Sequence, residues 1–344
     1  MHRISLHRIQ KTGRTARFLG ASLALALLLG GCTQMPAGAA SLDDKISDTS
    51  FFLDTVVTVT LYQKDAKPLI EECFTLMNDY ENMLSRTREG SDVWNINHSG
   101  GEPVTVSEET AGLIEKALHY AGLSGGAFDP TIAPVVSLWD FQGEGEHTLP
   151  DENELSEALT HVGYENVELD GTTVTLKDPD ASIDLGGIAK GYIADRLKDY
   201  LTSQGVECGL IDLGGNILTI GRRPDGREFT IGIRRPFASA ADLIETVTVD
   251  GRSVVTSGTY ERYFEKDGVL YHHILNPEDG YPFDNGLTSV TILSDQSVDG
   301  DALSTTCFTL GLEDGMELVE SLDGIDAMFI TEDMELHKSS GFPE

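Results

Sequence analysis

Ser182-Ile183-Asp184-Leu185-Gly186-Gly187-Ile188-Ala189-Lys190-Gly191-Tyr192-Ile193-Ala194-Asp195 is the stretch on which the reading of this chain turns. A strand-like segment, Thr172 to Leu176, precedes it after an Asp170-Gly171 turn. A helical pattern follows, with Ile193, Ala194, Leu197 and Leu201 on one face. Two adjacent glycines, flanked by a carboxylate and a lysine, sit where extended chain passes into helix. Glycines there let backbone come close to a ligand, and the free N–H groups of a helix start suit an anion. Neither glycine spacing fits a Walker loop or a dinucleotide fingerprint. Taken alone, the stretch also reads as a glycine-capped turn that touches no ligand.

Downstream, the pattern turns to strands separated by Pro224-Asp-Gly226, Asp250-Gly251 and Asp267-Gly268, which predict hairpins and antiparallel sheet. Upstream, Thr55 to Gln63 alternates as a strand. Ala66 to Leu84 places Leu69, Ile70, Cys73, Leu76, Met77, Tyr80 and Leu84 on one helical face. Ser85 to Asn97 reads as a polar loop. Ser107 caps a helix that runs to Leu123 and stops at Gly125-Gly126. Asp129-Pro130-Thr131 starts a helical segment through Trp139, with Pro130 in its first turn. A polar loop follows from Gln142 to His147, and Pro150-Asp151 opens a helix to Val162. Helices are expected again over Asp299 to Gly311 and Gly315 to Leu322, then strands near Ala327 and Glu335. Helices interleaved with hairpins predict an α+β fold, one compact domain over residues 51–344, rather than a doubly wound parallel sheet.

A formal charge of −33 over 344 residues argues against nucleic acid as a partner. Its plain meaning is a solvated acidic surface. The N-terminus is basic at Arg3, Arg8, Lys11, Arg14 and Arg17 and then apolar from Phe18 to Leu29, too short for a comfortable membrane span. Leu29-Gly30-Gly31-Cys32 has the form of a lipobox. Residues 1–31 are therefore expected to be a lipoprotein signal peptide, Cys32 the acylated (palmitate-bearing) mature terminus, and residues 32–50 a flexible tether. The protein is expected on the extracytoplasmic face of the cell membrane, held by its lipid. Cys73, Cys208 and Cys307 remain, with no spacing that suggests a disulfide framework or zinc.

Asp301 and Thr305 are four apart in a helical pattern, so both oxygens leave one face. A carboxylate and a hydroxyl are hard ligands suited to magnesium. The same pair also suits a helix cap and a hydroxyl bonded back to the chain. His272 and His273 lie in a strand pattern, where neighbours face opposite sides, so one of them at most enters a site.

Four further segments accompany the glycine stretch in order: Ile211-Asp-Leu-Gly214-Gly215-Asn216, Val255-Thr256-Ser257-Gly258-Thr-Tyr260, Tyr271-His272-His273-Ile274-Leu-Asn276-Pro277 and Asp299-Gly-Asp301-Ala-Leu-Ser304-Thr305. The ordered set resembles the ApbE family of flavin transferases, from about Phe51 to Met334. The resemblance implies a magnesium-dependent FAD:protein FMN transferase. Such an enzyme uses FAD as substrate, attaches FMN by a phosphoester to a threonine or serine of extracytoplasmic redox proteins, and releases AMP. It implies magnesium on Asp301, Thr305 and the Gly187 carbonyl, and His273 as general base. It implies cofactor contacts at Leu53, Ala127, Phe128, Asp129, Asp184, Lys190, Ser257 and Ile274. The alternatives are an FAD pyrophosphatase releasing FMN and AMP, and a flavin-binding lipoprotein without catalysis.

Overall fold

In the computed structural model, which describes residues 41–141 and 147–343, strand β1 (Lys45–Phe52) turns into β2 (Thr55–Tyr62) through Leu53 and Asp54. Both turn residues are left-handed, at φ 52° and 57°, the backbone of a primed two-residue hairpin. Helix α1 (Lys67–Leu84), helix α2 (Asp92–Asn97), strand β3 (Val104–Thr105), helix α3 (Glu108–Leu123) and helix α4 (Ala133–Val136) follow. Next come α5 (Glu152–Leu159), the hairpin of β4 (Val167–Asp170) and β5 (Thr173–Leu176), and α6 (Ala189–Ser203). Strands β6 (Gly209–Leu213), β7 (Asn216–Ile220), β8 (Phe229–Arg234), β9 (Leu243–Val249) and β10 (Ser253–Gly258) lead to β11 (Tyr263–Lys266) and β12 (Val269–His272). The chain closes with β13 (Leu287–Ser294), α7 (Ser297–Glu320), β14 (Asp326–Thr331) and β15 (Leu336–Lys338).

Eight strands form one sheet in the order β1-β2-β6-β7-β10-β13-β14-β15, antiparallel at every step. Every residue of β13 is buried, so the sheet is covered on both faces at its centre. In β14, Ala327 and Phe329 point to the helix-covered core, while Met328 and Ile330 pack with Phe229, Ile231, Ile233, Val247 and Val249 of the β8–β9 hairpin. That period-two alternation divides one strand between two cores. The result is the α+β architecture that the interleaved helices and turns predict, with one compact unit over Ala40–Glu344.

Several local expectations are corrected. Of the tether expected over 32–50, residues 32–40 lie outside the described residues, Leu42–Asp44 form a 3-10 turn, and β1 begins at Lys45 and pairs with β2 along its length. Residues 92–97 of the expected loop form α2, capped by Ser91. The helix expected from Pro130 to Trp139 shrinks to Ala133–Val136, with Pro134 in its first turn. Asp267-Gly268 closes the β11–β12 hairpin, but Pro224-Asp-Gly226 and Asp250-Gly251 carry the chain between layers, since β8 and β9 pair with each other and β10 pairs with β7 and β13. The helix break expected after Gly311 is present in α7, where Gly311 has φ 83° between two helical runs. No helix among the described residues is long and apolar enough to cross a membrane. The signal peptide over 1–31, Cys32 and residues 142–146 of the expected Gln142–His147 loop lie outside the described residues.

Candidate active site

The glycine stretch delivers its helix directly against α7. Ile188, the residue before α6, and Gln296, the residue before α7, give no side-chain cap to their own helices. The first-turn N–H groups of a helix need acceptors from elsewhere. For α6, Gly191 N–H donates to Asp301 Oδ2 at 2.8 Å, and Lys190 Nζ stands 3.4 Å from Asp301 Oδ1. For α7, the amides of Ser297 and Val298 donate to the two carboxylate oxygens of Asp195 at 2.8 and 2.9 Å. Gly191 permits the approach, because a Cβ there would collide with the Ser297 carbonyl and stand 2.7 Å from the Asp301 Cβ.

Ser257, on β10, joins the same face of α7. Its hydroxyl lies 2.8 Å from Ser304 Oγ and 3.1 Å from Thr305 Oγ1. The structure thus brings together Lys190, Ser257, Asp301 and Thr305. A buried carboxylate beside a partly open hydroxyl on one helical face offers oxygen donors of the kind that suit a hard cation. A second cluster, His161, Asp178 and Asp180, contains none of the expected ligands, and its Asp178 is already engaged by His161 at 2.8 Å.

The cofactor-side residues divide into two groups. Phe128 lies over the glycine turn, where a Cβ on Gly187 would stand 3.0 Å from its ring, and half-buried Ala127 precedes it. Leu53 tips the β1–β2 turn, its N–H donating to Glu81 Oε1 at 3.0 Å, with Arg88 on the same carboxylate. Asp184 and Asp129 are committed within the chain. Asp184 accepts from Gly186 N–H at 2.7 Å and faces Arg86 Nε at 2.9 Å. Asp129 is buried and accepts from the amide and hydroxyl of Thr131 at 2.7 and 2.6 Å and from Tyr164 N–H at 2.9 Å. Burial pushes its carboxyl above the usual range, opposed by those three donors.

The two adjacent histidines have opposite surroundings. His272 ends β12 with both ring nitrogens engaged: Ile274 N–H donates to Nδ1 at 3.3 Å, and Nε2 lies 3.0 Å from the Phe283 carbonyl. An amide on one nitrogen and a carbonyl on the other fix the neutral tautomer with its proton on Nε2. Burial holds its pKa below the ordinary value. Ile274 itself is buried in the main core. His273 lies one residue past the strand, its backbone N–H bonded to the Arg262 carbonyl at 3.1 Å, while its buried Nδ1 meets no partner. Burial first, then the charges of Arg262 and Lys190, lower its pKa to about 3. The imidazole is therefore neutral, with an unengaged ring nitrogen beside two cations.

Arg86, Asp195 and Arg262 enter the site without having been singled out by motif. Arg86 lies in a polar segment whose only sequence signal is its charge. Asp195 closes the quoted stretch, and the signal for it is its i,i+4 spacing from Gly191.

The fold as a whole matches solved flavin-transferase structures. The ApbE protein of Thermotoga maritima superposes with a TM-score of 0.79 at 35% identity, covering 86% of this chain and 97% of that one. The flavin transferase ApbE of Vibrio cholerae gives 0.78 at 30% identity, covering 87% and 98%. The ApbE family model matches residues 53–329. An FAD:protein FMN transferase of Klebsiella pneumoniae is 44% identical over 86% of this chain and 92% of its own length, and one of Treponema pallidum is 38% identical over 86% and 87%. The chain belongs to the ApbE family, and it is a transferase.

Proposed function

We propose that this protein transfers FMN from FAD to a serine or threonine hydroxyl of an acceptor protein. The observation that carries the reading is the placement of Lys190, 3.4 Å from Asp301 and near enough to His273 to depress its pKa. One cation thereby links a metal-type carboxylate to an unengaged imidazole. The Gly186–Gly187 turn and Lys190 receive the pyrophosphate, while Phe128, Ala127 and Leu53 offer apolar surface to the flavin half. Asp184, Asp129, Ser257 and Ile274 frame that pocket, the two carboxylates by holding its loops.

The donor set of Asp301 and Thr305, with the Gly187 carbonyl, suits magnesium. When bound, magnesium neutralises charge on the pyrophosphate oxygens. His273 takes the proton of the acceptor hydroxyl as its oxygen forms a bond to the FMN phosphorus. The phosphoanhydride bond to AMP breaks, and AMP leaves with the electron pair. Lys190 and Arg262 offset the negative charge of the substrate, and that charge in turn raises the proton affinity of His273. Acylated Cys32 holds the domain at the extracytoplasmic membrane face, where the acceptors are redox proteins.

The test is to incubate the protein with FAD, magnesium and a candidate acceptor, then weigh the acceptor by mass spectrometry. One added FMN is expected, with AMP released in equal amount. FMN and AMP released without an adduct would mean hydrolysis, and uncleaved FAD would mean binding alone.

A further inference from the structure

The α6–α7 seam is a pair of helices that cap each other. Each lacks a cap of its own, and each sends a carboxylate to the other's first turn: Asp301 of α7 to Gly191 N–H, and Asp195 of α6 to the amides of Ser297 and Val298. Gly191 and Asp195 are four apart on α6, and Ser297 and Asp301 are four apart on α7, so the two exchanges lie along one line of contact. The Ser297 hydroxyl extends the line, donating to Asn216 Oδ1 at 2.6 Å on β7 and meeting Ser253 Oγ at 2.9 Å on β10.

We infer that Asp195 is a positioning residue for the metal-type carboxylate. By clamping the first turn of α7, it sets where Asp301 stands: Oδ2 is spent on Gly191, and Oδ1, 3.4 Å from Lys190 Nζ, is the oxygen turned to cations. Asp195 touches no substrate; it acts through α7. A carboxylate nine-tenths buried that accepts two amides is a charge-assisted cap, stronger than a neutral one. An asparagine of the same size can accept only one of those amides and turns its NH2 against the other. The inference rests on the magnesium site proposed above.

The experiment measures magnesium affinity by calorimetry on the metal alone, with no FAD or acceptor, for the wild-type protein, Asp195→Asn and Asp199→Asn. Asp199 lies on the same helix in an exposed pair with Arg196, 2.9 Å away, and is the control. Asp195→Asn is expected to bind magnesium about tenfold to a hundredfold more weakly, the range for groups that orient a ligand from behind. Hydrogen exchange at Ser297 and Val298 should quicken in the same variant, and Asp199→Asn should match wild type in both. Should Asp195→Asn fail to fold, Ser297→Pro removes one clamp donor from the other side. It falls at the first helical position after an extended Gln296 (φ −107°, ψ 132°), where proline is accepted, and it should weaken magnesium in the same direction. Faster exchange with unchanged magnesium affinity would reduce Asp195 to a helix cap and overturn the inference. Wild-type protein that binds no magnesium would instead break the metal site, and the positioning role with it.

Discussion

The seam between α6 and α7 and the rim formed by the β11–β12 hairpin border the same site and are built in opposite ways. At the seam nearly every polar group is spent: Gly191 on Asp301, Ser297 and Val298 on Asp195, Ser257 on Ser304 and Thr305. At the rim, the buried Nδ1 of His273 has no partner, and of the ten described arginines only Arg234 and Arg262 lack a carboxylate within ion-pair distance. Glu261 lies close enough to feel both arginines and Lys190: burial raises its carboxyl, and those three cations oppose the rise. The seam holds atoms in place, and the rim keeps atoms available. Pre-organised scaffolds with unsatisfied groups at their edge are what proton transfer and anion binding require.

The largest effect should come from the rim. His273→Ala should slow FMN transfer by roughly a hundredfold to ten-thousandfold, the span typical of a lost general base, while FAD and magnesium affinity change little. Raising the pH should recover part of the rate, since the acceptor hydroxyl then needs less help. Normal transfer by this variant would move the base elsewhere, and collapse of FAD binding would make His273 a cofactor or structural residue.

The seam comes next. Asp301→Ala should lower turnover on the order of a hundredfold or more and abolish magnesium dependence, because the hard-oxygen set loses its only buried charge. Gly191→Ala tests the same line of contact by volume. Its Cβ collides with the Ser297 carbonyl, so the helices must part, at a cost of about 1–3 kcal/mol in unfolding free energy. Denaturant midpoints measure it, and an unchanged midpoint would mean that the seam is looser than its distances say.

The two regions also differ in how far they can be read from sequence. The apolar face of α1 is legible through period 3.6, and Ile70, Cys73, Met77 and Leu84 are buried as that period requires. The Asp301–Thr305 pair is legible through i,i+4 spacing, and the Gly311 break in α7 through glycine itself. The mutual caps join residues 102 to 110 positions apart, and no local pattern carries that information. Strand β1 is hidden for another reason. It is an edge strand with no fully buried residue, so its polar sequence has the composition of a tether. The turns at Pro224-Asp-Gly226 and Asp250-Gly251 show the converse, since glycine signals a reversal of chain but not which strands the reversal pairs.

The smallest expected effect separates the neighbouring histidines by pH. His272 is held neutral by burial, so its folded pKa lies below the unfolded value of about 6.5. The unfolded chain therefore binds a proton that the folded chain resists, and stability must fall as pH drops through that unfolded value. His272→Gln can keep a donor for the Phe283 carbonyl and an acceptor for the Ile274 amide, but it cannot titrate. Near pH 8 it should be less stable than wild type by about 1 kcal/mol, for imperfect hydrogen bonds and lost ring packing against Phe308. Toward pH 5 the gap should narrow, as wild type gives up the advantage of a neutral imidazole. Transfer at neutral pH should change far less than in His273→Ala, because His272 has no free nitrogen to offer. Thermal midpoints of both proteins across that range decide the matter, and a gap that stays constant or widens on acidification would show that His272 is not the buried neutral partner the seam-like side of the strand requires.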